Sequence, residues 1–139
     1  MAEFTNVAAQ TVAANANVLF AETPVRGCRC INHRDGSGVV TLRSCNNGCT
    51  RYKISFGANI AVPDGGTADA ISVAISVRGE PLGSATAIYT PAAAETFGSI
   101  YVAVLVTVPC GCCVDVGIVN ASTQAITVEN ANLIVEKEA

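Results

Sequence analysis

Apolar and polar residues alternate with a period of two through most of this chain, and helix signals are nearly absent. Residues 51–60 show the pattern most cleanly. Tyr52, Ile54, Phe56, Ala58 and Ile60 fall on one face, and Arg51, Lys53, Ser55, Gly57 and Asn59 on the other. A strand places successive side chains on opposite sides, so this segment reads as a half-buried strand. Residues 70–78 repeat the pattern, with Ile71, Val73, Ile75 and Val77 on one side. Further strands are expected at 10–14, 17–21, 28–33, 38–43, 82–90, 99–108, 112–120, 125–128 and 131–136. Residues 28–33 and 38–43 flank Arg34-Asp35-Gly36-Ser37, a hairpin turn in which glycine tolerates positive φ. About ten short strands with no room for crossover helices predict an all-β fold, a two-sheet antiparallel jelly-roll sandwich.

The chain has 139 residues and a mass of 14.2 kDa, the size of one domain. Residues 10–139 are expected to form it, with residues 1–9 as an N-terminal arm or attachment segment. Half of the residues are hydrophobic and only 14% are charged, against about 25% in an ordinary soluble domain. That balance excludes disorder and a Lys/Glu-rich helical bundle. A net charge of -3 and two lysines, Lys53 and Lys137, leave no basic patch for nucleic acid. The longest apolar runs are strand-sized, so no membrane partner is expected. The N-terminal Met1-Ala-Glu-Phe-Thr-Asn lacks a basic and an apolar region, so synthesis in a bacterial cytoplasm without an export tag is expected.

Residues 99–108 depart from simple alternation. Ile100, Val102, Val104, Val106 and Val108 form one face, and the other carries Tyr101, Ala103, Leu105 and Thr107. A strand apolar on both faces needs a cover for each. It reads as a central strand whose second face meets a neighbouring subunit through Tyr101, Ala103 and Leu105. The small charged fraction points the same way, because large exposed apolar patches mark association sites.

The order of motifs resembles a known family. Gly38-Val-Val-Thr-Leu leads into Tyr52-Lys-Ile-Ser-Phe, then Ile71-Ser-Val-Ala-Ile with Gly79-Glu-Pro, and Thr90-Pro. Val106-Thr-Val-Pro109, Val116-Gly-Ile-Val-Asn120-Ala-Ser and Ala131-Asn-Leu-Ile-Val-Glu-Lys137 follow. This pattern, over residues 10–137, resembles the C-terminal domain of collagen-like spore-surface glycoproteins. Those are trimeric jelly rolls similar to tumour necrosis factor and the complement globular head. Related freestanding versions resemble structural proteins of phages infecting Gram-positive gut bacteria. The resemblance implies a homotrimer in which strand 99–108 belongs to the inner sheet facing the threefold axis. It also implies a non-enzymatic phage virion component, a capsid decoration or fibre-head protein on the particle surface, partnered by other virion or surface-layer proteins. Two alternatives stand beside it: a spore- or cell-surface filament component, and a lectin-like module binding a host-surface glycan. No Gly-X-Y repeat precedes the domain, and the cysteines do not belong to the spore-domain pattern.

The seven cysteines fall in three groups: Cys28 and Cys30, Cys45 and Cys49, and Cys110, Cys112 and Cys113. Three readings stay open for them. They are disulfides within or between subunits, where an odd count leaves at least one thiol free or paired between chains. They are zinc ligands drawn from Cys28, Cys30, His33, Cys110 and Cys113. Or they are buried thiols acting as small hydrophobes. No enzyme is expected. His33 is the single histidine and precedes a hairpin turn, with no Ser-His-Asp arrangement around it. Gly36-Ser37-Gly38 lacks the spacing of a nucleophile elbow. Asn120-Ala-Ser122 fits the glycosylation sequon and reads as idle without a signal peptide.

Overall fold

The alternation resolves into two antiparallel sheets in a computed structural model that describes residues 2–27, 29–44 and 49–138. Among these residues the strands run Ala2–Asn6 (β1), Gln10–Val12 (β2), Glu22–Val25 (β3), Ile31–His33 (β4), Val39–Arg43 (β5) and Thr50–Ala61 (β6). They continue through Ile71–Val77 (β7), Glu80–Tyr89 (β8), Gly98–Val108 (β9), Cys113–Asn120 (β10) and Ile126–Lys137 (β11). One sheet has the order β3-β1-β11-β6-β9, with β2 also paired to β11, and the other has the order β4-β5-β10-β7-β8. Connections such as β5 to β6, β8 to β9 and β10 to β11 pass from one sheet to the other, which is the jelly-roll arrangement expected from the strand pattern.

The core lies between the sheets and is built by the inward members of each alternation. Tyr52, Ile54, Phe56 and Ile60 of β6 are fully buried, as are Ile71, Val73 and Ile75 of β7. Phe20 meets Phe56 edge-on at 6.2 Å between ring centroids, a favoured aromatic geometry. The Tyr52 hydroxyl would be costly to bury unpaired. It donates to the Arg43 carbonyl at 2.6 Å, tying the start of β6 to the end of β5 in the facing sheet.

Four expectations need correction. The segment expected as an arm, residues 1–9, contains β1, which pairs with β11 and β3 and sends the buried Ala2 and Phe4 into the core. Its Ala-Glu-Phe-Thr-Asn alternation is a short strand pattern in its own right. Residues 17–21 form no strand. The 15–18 segment lies beside β10 beyond the end of β5, with Val18 N–H donating to the Ile118 carbonyl at 2.7 Å and Asn120 N–H to that of Ala16 at 2.9 Å. Gly38 makes that crossing possible, because a Cβ there would stand 2.8 Å from the Asn17 Cβ and the Val18 carbonyl. Residues 125–128 and 131–136 are one strand, β11, with a register shift between Glu129 and Asn132 where Asn130 takes φ 56°. Finally, β9 is an edge strand in its sheet, not a central one.

One strand lay outside the sequence reading. Glu22–Val25 contains Pro24, which cannot donate to a ladder, and β3 is accordingly an edge strand. The buried Phe4 gives a direct test of β1. Phe4→Ala is expected to lower the unfolding free energy by about 3 kcal/mol or more in urea titrations. A loose terminal arm would move it by less than about 0.5 kcal/mol.

Candidate association site

The outer face of the β3-β1-β11-β6-β9 sheet is set by the same registers that build the core. Leu105 lies opposite Lys53, which lies opposite Glu136. Ala103 lies opposite Ser55, then Ile134, then Glu3. Tyr101 lies opposite Gly57, then Asn132, then Thr5. The three rows therefore carry Tyr101 and Leu105 at the β9 edge, the small Ser55 and Gly57 beside the charged Lys53 on β6, and mostly polar residues beyond them, with Ile134 the apolar exception. Tyr101 is 65% exposed and Leu105 60% exposed, while Ala103 between them is half-buried. The inward partners on the same strand, Ile100, Val102, Val106 and Val108, are buried. The expected second apolar face of this strand is thus present and uncovered in the single chain.

Local chemistry keeps this face flat. Gly57 carries no side chain, and the Tyr101 ring comes within 3.9 Å of where a Cβ would stand. Ser99 Oγ donates to Asn59 Oδ1 at 2.9 Å, and the Asn132 side-chain amide donates to the Glu3 carboxylate. A shallow depression of ≈ 440 Å³ opens at the β9 edge, bounded by Lys53, Ala103, Val104, Leu105 and Glu138. Withdrawing a side chain such as Leu105 fully from water is worth about 1.5–3 kcal/mol gross. The sequence reading named Tyr101, Ala103 and Leu105; the structure adds Ser55, Gly57 and Ile134. The polar half of the β6 alternation already placed Ser55 and Gly57 on one face, but only the register shows that they lie beside Tyr101 and Ala103.

The cysteines and His33 occupy other parts of the molecule. Cys30 is disulfide-bonded, and Cys28 and Cys45 lie outside the described residues. Cys49, Cys112 and Cys113 carry free, exposed thiols, and Cys110 is exposed as well. The reading of these four as buried hydrophobes is therefore corrected: they sit at loops and strand ends, where no core can enclose them. His33 packs against Phe4, at 4.6 Å between ring centroids, and against Phe20 at 6.3 Å. Its Nε2 lies 2.8 Å from the Ser37 carbonyl, which can only accept, so this nitrogen is the donor. Among the described residues no group of three or more His, Cys, Asp or Glu is placed to hold a metal ion. Asn120 of the sequon is fully buried, donating to the Val12 carbonyl at 3.0 Å and the Gln124 carbonyl at 2.9 Å. Its amide is thereby committed to holding the β10–β11 connection.

No protein-family model matches the chain, and no curated protein matches it in sequence. Solved structures do match in fold. The Eiger TNF from S. frugiperda superposes with a TM-score of 0.69 at 13% identity, over 99% of this chain and 91% of that one. The globular domain of zebrafish complement 1qA protein gives 0.59 at 11% identity, over 96% and 94%. Murine APRIL gives 0.57 at 13%, over 95% and 97%. The fold is therefore a jelly roll of the tumour necrosis factor and complement-head kind, as the motif order led one to expect.

The exposure of the thiols makes a prediction. Without denaturant or reductant, iodoacetamide is expected to modify Cys49, Cys112 and Cys113, with Cys30 modified only after reduction. Peptide mapping by mass spectrometry reads both outcomes.

Proposed function

We propose that the chain is a non-enzymatic structural subunit that works as a homotrimer on the surface of a phage particle, as a capsid decoration or fibre-head protein. One observation carries the association: Tyr101 and Leu105 stand exposed, next to the small Gly57, Ser55 and Ala103, at an edge strand whose inner face is already in the core. Exposed apolar side chains grouped on one edge are the usual mark of an association surface. A second copy supplies that surface, and threefold closure lets one face and one edge serve every contact. The exposed Ile88 of β8, beside β9 where the two sheets meet, offers the complementary apolar edge. The fold likeness to tumour necrosis factor and complement-head domains supports the trimer. The motif resemblance to phage structural proteins supports the particle setting, and electron microscopy of native particles from the source bacterium tests it. Label on the particle surface is the expected result, and label on spores or cell filaments would replace it.

The register sharpens the interface test. An acidic residue at 105 would face Lys53 across the strands and be partly neutralised. Leu105→Arg instead places two like charges opposite each other and buries them if the interface forms. It is expected to give a folded monomer, with an unchanged β-sheet circular dichroism spectrum and about a third of the native mass by light scattering. A trimer that survives Leu105→Arg would move the interface elsewhere.

A second reading, glycan binding at the loops, has one observation in its favour. A groove between the edge strands β3 and β4 is lined by Thr23, Arg26, Arg29, Asn32, His33 and Asp35, a polar set able to meet sugar hydroxyls and carboxylates. On a glycan array, Arg26→Ala with Arg29→Ala is expected to remove any binding that wild type shows at millimolar or better affinity. Absence of wild-type binding ends this reading.

A further inference from the structure

Two of the chain's eight cationic side chains, Arg26 and Arg29, stand on one groove, and among the described residues neither makes an ion pair. The groove runs between β3 and β4, the sheet edges opposite β9 and β8, and so lies away from Tyr101 and Leu105. Its volume of ≈ 440 Å³ is that of a small-molecule site. Phe4 and Ile31, both buried in the core, form part of its wall. The two ends of the groove carry opposite charge. Arg26 directly follows β3, and Arg29 lies just before β4. At the other end, beyond β4, Asp35 Oδ1 accepts from Thr23 Oγ1 at 2.9 Å. Thr23 and Arg26 are separated by roughly 10 Å of extended chain, the scale of one or two sugar rings.

The backbone that carries these groups is braced at both ends. A Cβ on Gly27 would stand 2.8 Å from the Ala2 Cβ and 3.3 Å from that of Ile31, so the loop between the two arginines lies directly against β1 and β4. Arg43 N–H donates to the Cys30 carbonyl at 2.8 Å, and Asn32 Nδ2 to the Arg29 carbonyl at 3.3 Å. At the acidic end Gly36 N–H donates to the Phe20 carbonyl at 2.8 Å, and His33 Nε2 to that of Ser37, also at 2.8 Å. A groove held in this way before its ligand arrives loses less to ordering on binding.

We propose that this groove binds a sugar that carries one carboxylate, the chemistry of a uronic acid or a sialic acid. The inference rests on the glycan reading above and gives it a ligand class and an orientation. The guanidiniums of Arg26 and Arg29 take the ligand carboxylate through their planar forks of N–H donors. Asp35, which when ionised can only accept, takes ring hydroxyls at the far end. A neutral sugar leaves both guanidiniums unmet. A polyanion meets repulsion at Asp35 and from a chain whose net charge is -3.

The test titrates the full chain with glucuronate, N-acetylneuraminate, glucose and glucose 6-phosphate, read by calorimetry and by the amide shifts of Gly27 and Asn32. Glucuronate or N-acetylneuraminate is expected to bind at millimolar or better affinity, at least about tenfold tighter than glucose. Arg26→Ala with Arg29→Ala is expected to weaken that binding by about tenfold or more. Its thermal midpoint should match wild type, because both side chains are exposed. Arg26→Lys with Arg29→Lys keeps the charge and loses the forks, and its affinity is expected to fall between the two. Equal binding of glucose and glucuronate, unmoved by the arginine variants, overturns the acidic ligand and leaves the glycan reading standing. Carboxylate binding that survives the double alanine variant overturns the site. Tighter binding of glucose 6-phosphate than of either carboxylate overturns the carboxylate in favour of a phosphorylated sugar. Binding of none of the probes overturns the inference, and the glycan array then decides separately whether any sugar is recognised.

Discussion

The register of β6 decides most of this structure. Tyr52 opposite Val106 on one side and Lys137 on the other sets eleven successive pairs with β9 and the ladder with β11. A slip of one residue would turn Arg51 and Lys53 into the core and Tyr52, Ile54 and Phe56 into water. The penalty for that exchange, several buried aromatic and aliphatic side chains at about 1.5–3 kcal/mol each, is far larger than any single loop contact. The position of Lys53 beside Leu105, and of Gly57 beneath Tyr101, follows from the same register. The association face is the back of the core ladder, so neither can be altered alone.

The edge location of β9 gives that face its meaning. An edge strand presents unpaired backbone groups, and proteins usually protect it with charge, proline or a bulge. β9 has none of these in its central stretch from Ile100 to Thr107, and its outer side chains are Tyr101, Ala103 and Leu105. Protection comes partly from β8, which lies against it where the sandwich closes. The rest stays open in the single chain, where Tyr101 is 65% and Leu105 60% exposed. The scarcity of charge in the sequence agrees with the association proposed for this face.

What could be read in advance follows the physics of local and non-local signals. The alternations of β6, β7 and β9 were legible because a period of two needs only neighbours in sequence. The hairpin at Arg34-Asp35-Gly36-Ser37 was legible because turn chemistry is local. The strand status of β1 was not, since five residues before a break carry little periodic signal, and burial of Ala2 and Phe4 depends on β11 some 130 residues away. Residues 17–21 look like a strand by composition, and Val18 and Phe20 are indeed buried. Yet their backbone pairs with a loop and with the stretch of β10 that β5 vacates, a fact of tertiary placement. Pro24 hid β3 for the same reason: whether proline is tolerated depends on the strand being at an edge, which no local pattern records.

The cysteines separate two roles that composition alone runs together. Small secreted domains use disulfides because their cores are too small to hold the fold. Here the core does not need that help: Tyr52, Phe20, Phe56, Leu42 and the isoleucines of β6 and β7 are fully buried between well-registered sheets. Among the described cysteines only Cys30 is disulfide-bonded. The exposed Cys49, Cys110, Cys112 and Cys113 instead lie at one end of the sandwich, just before β6 and between β9 and β10. A thiol placed there adds little to the stability of a sandwich whose ladders end below it. The exposed thiols, like the bare face of β9, thus lie on surface that the core does not use.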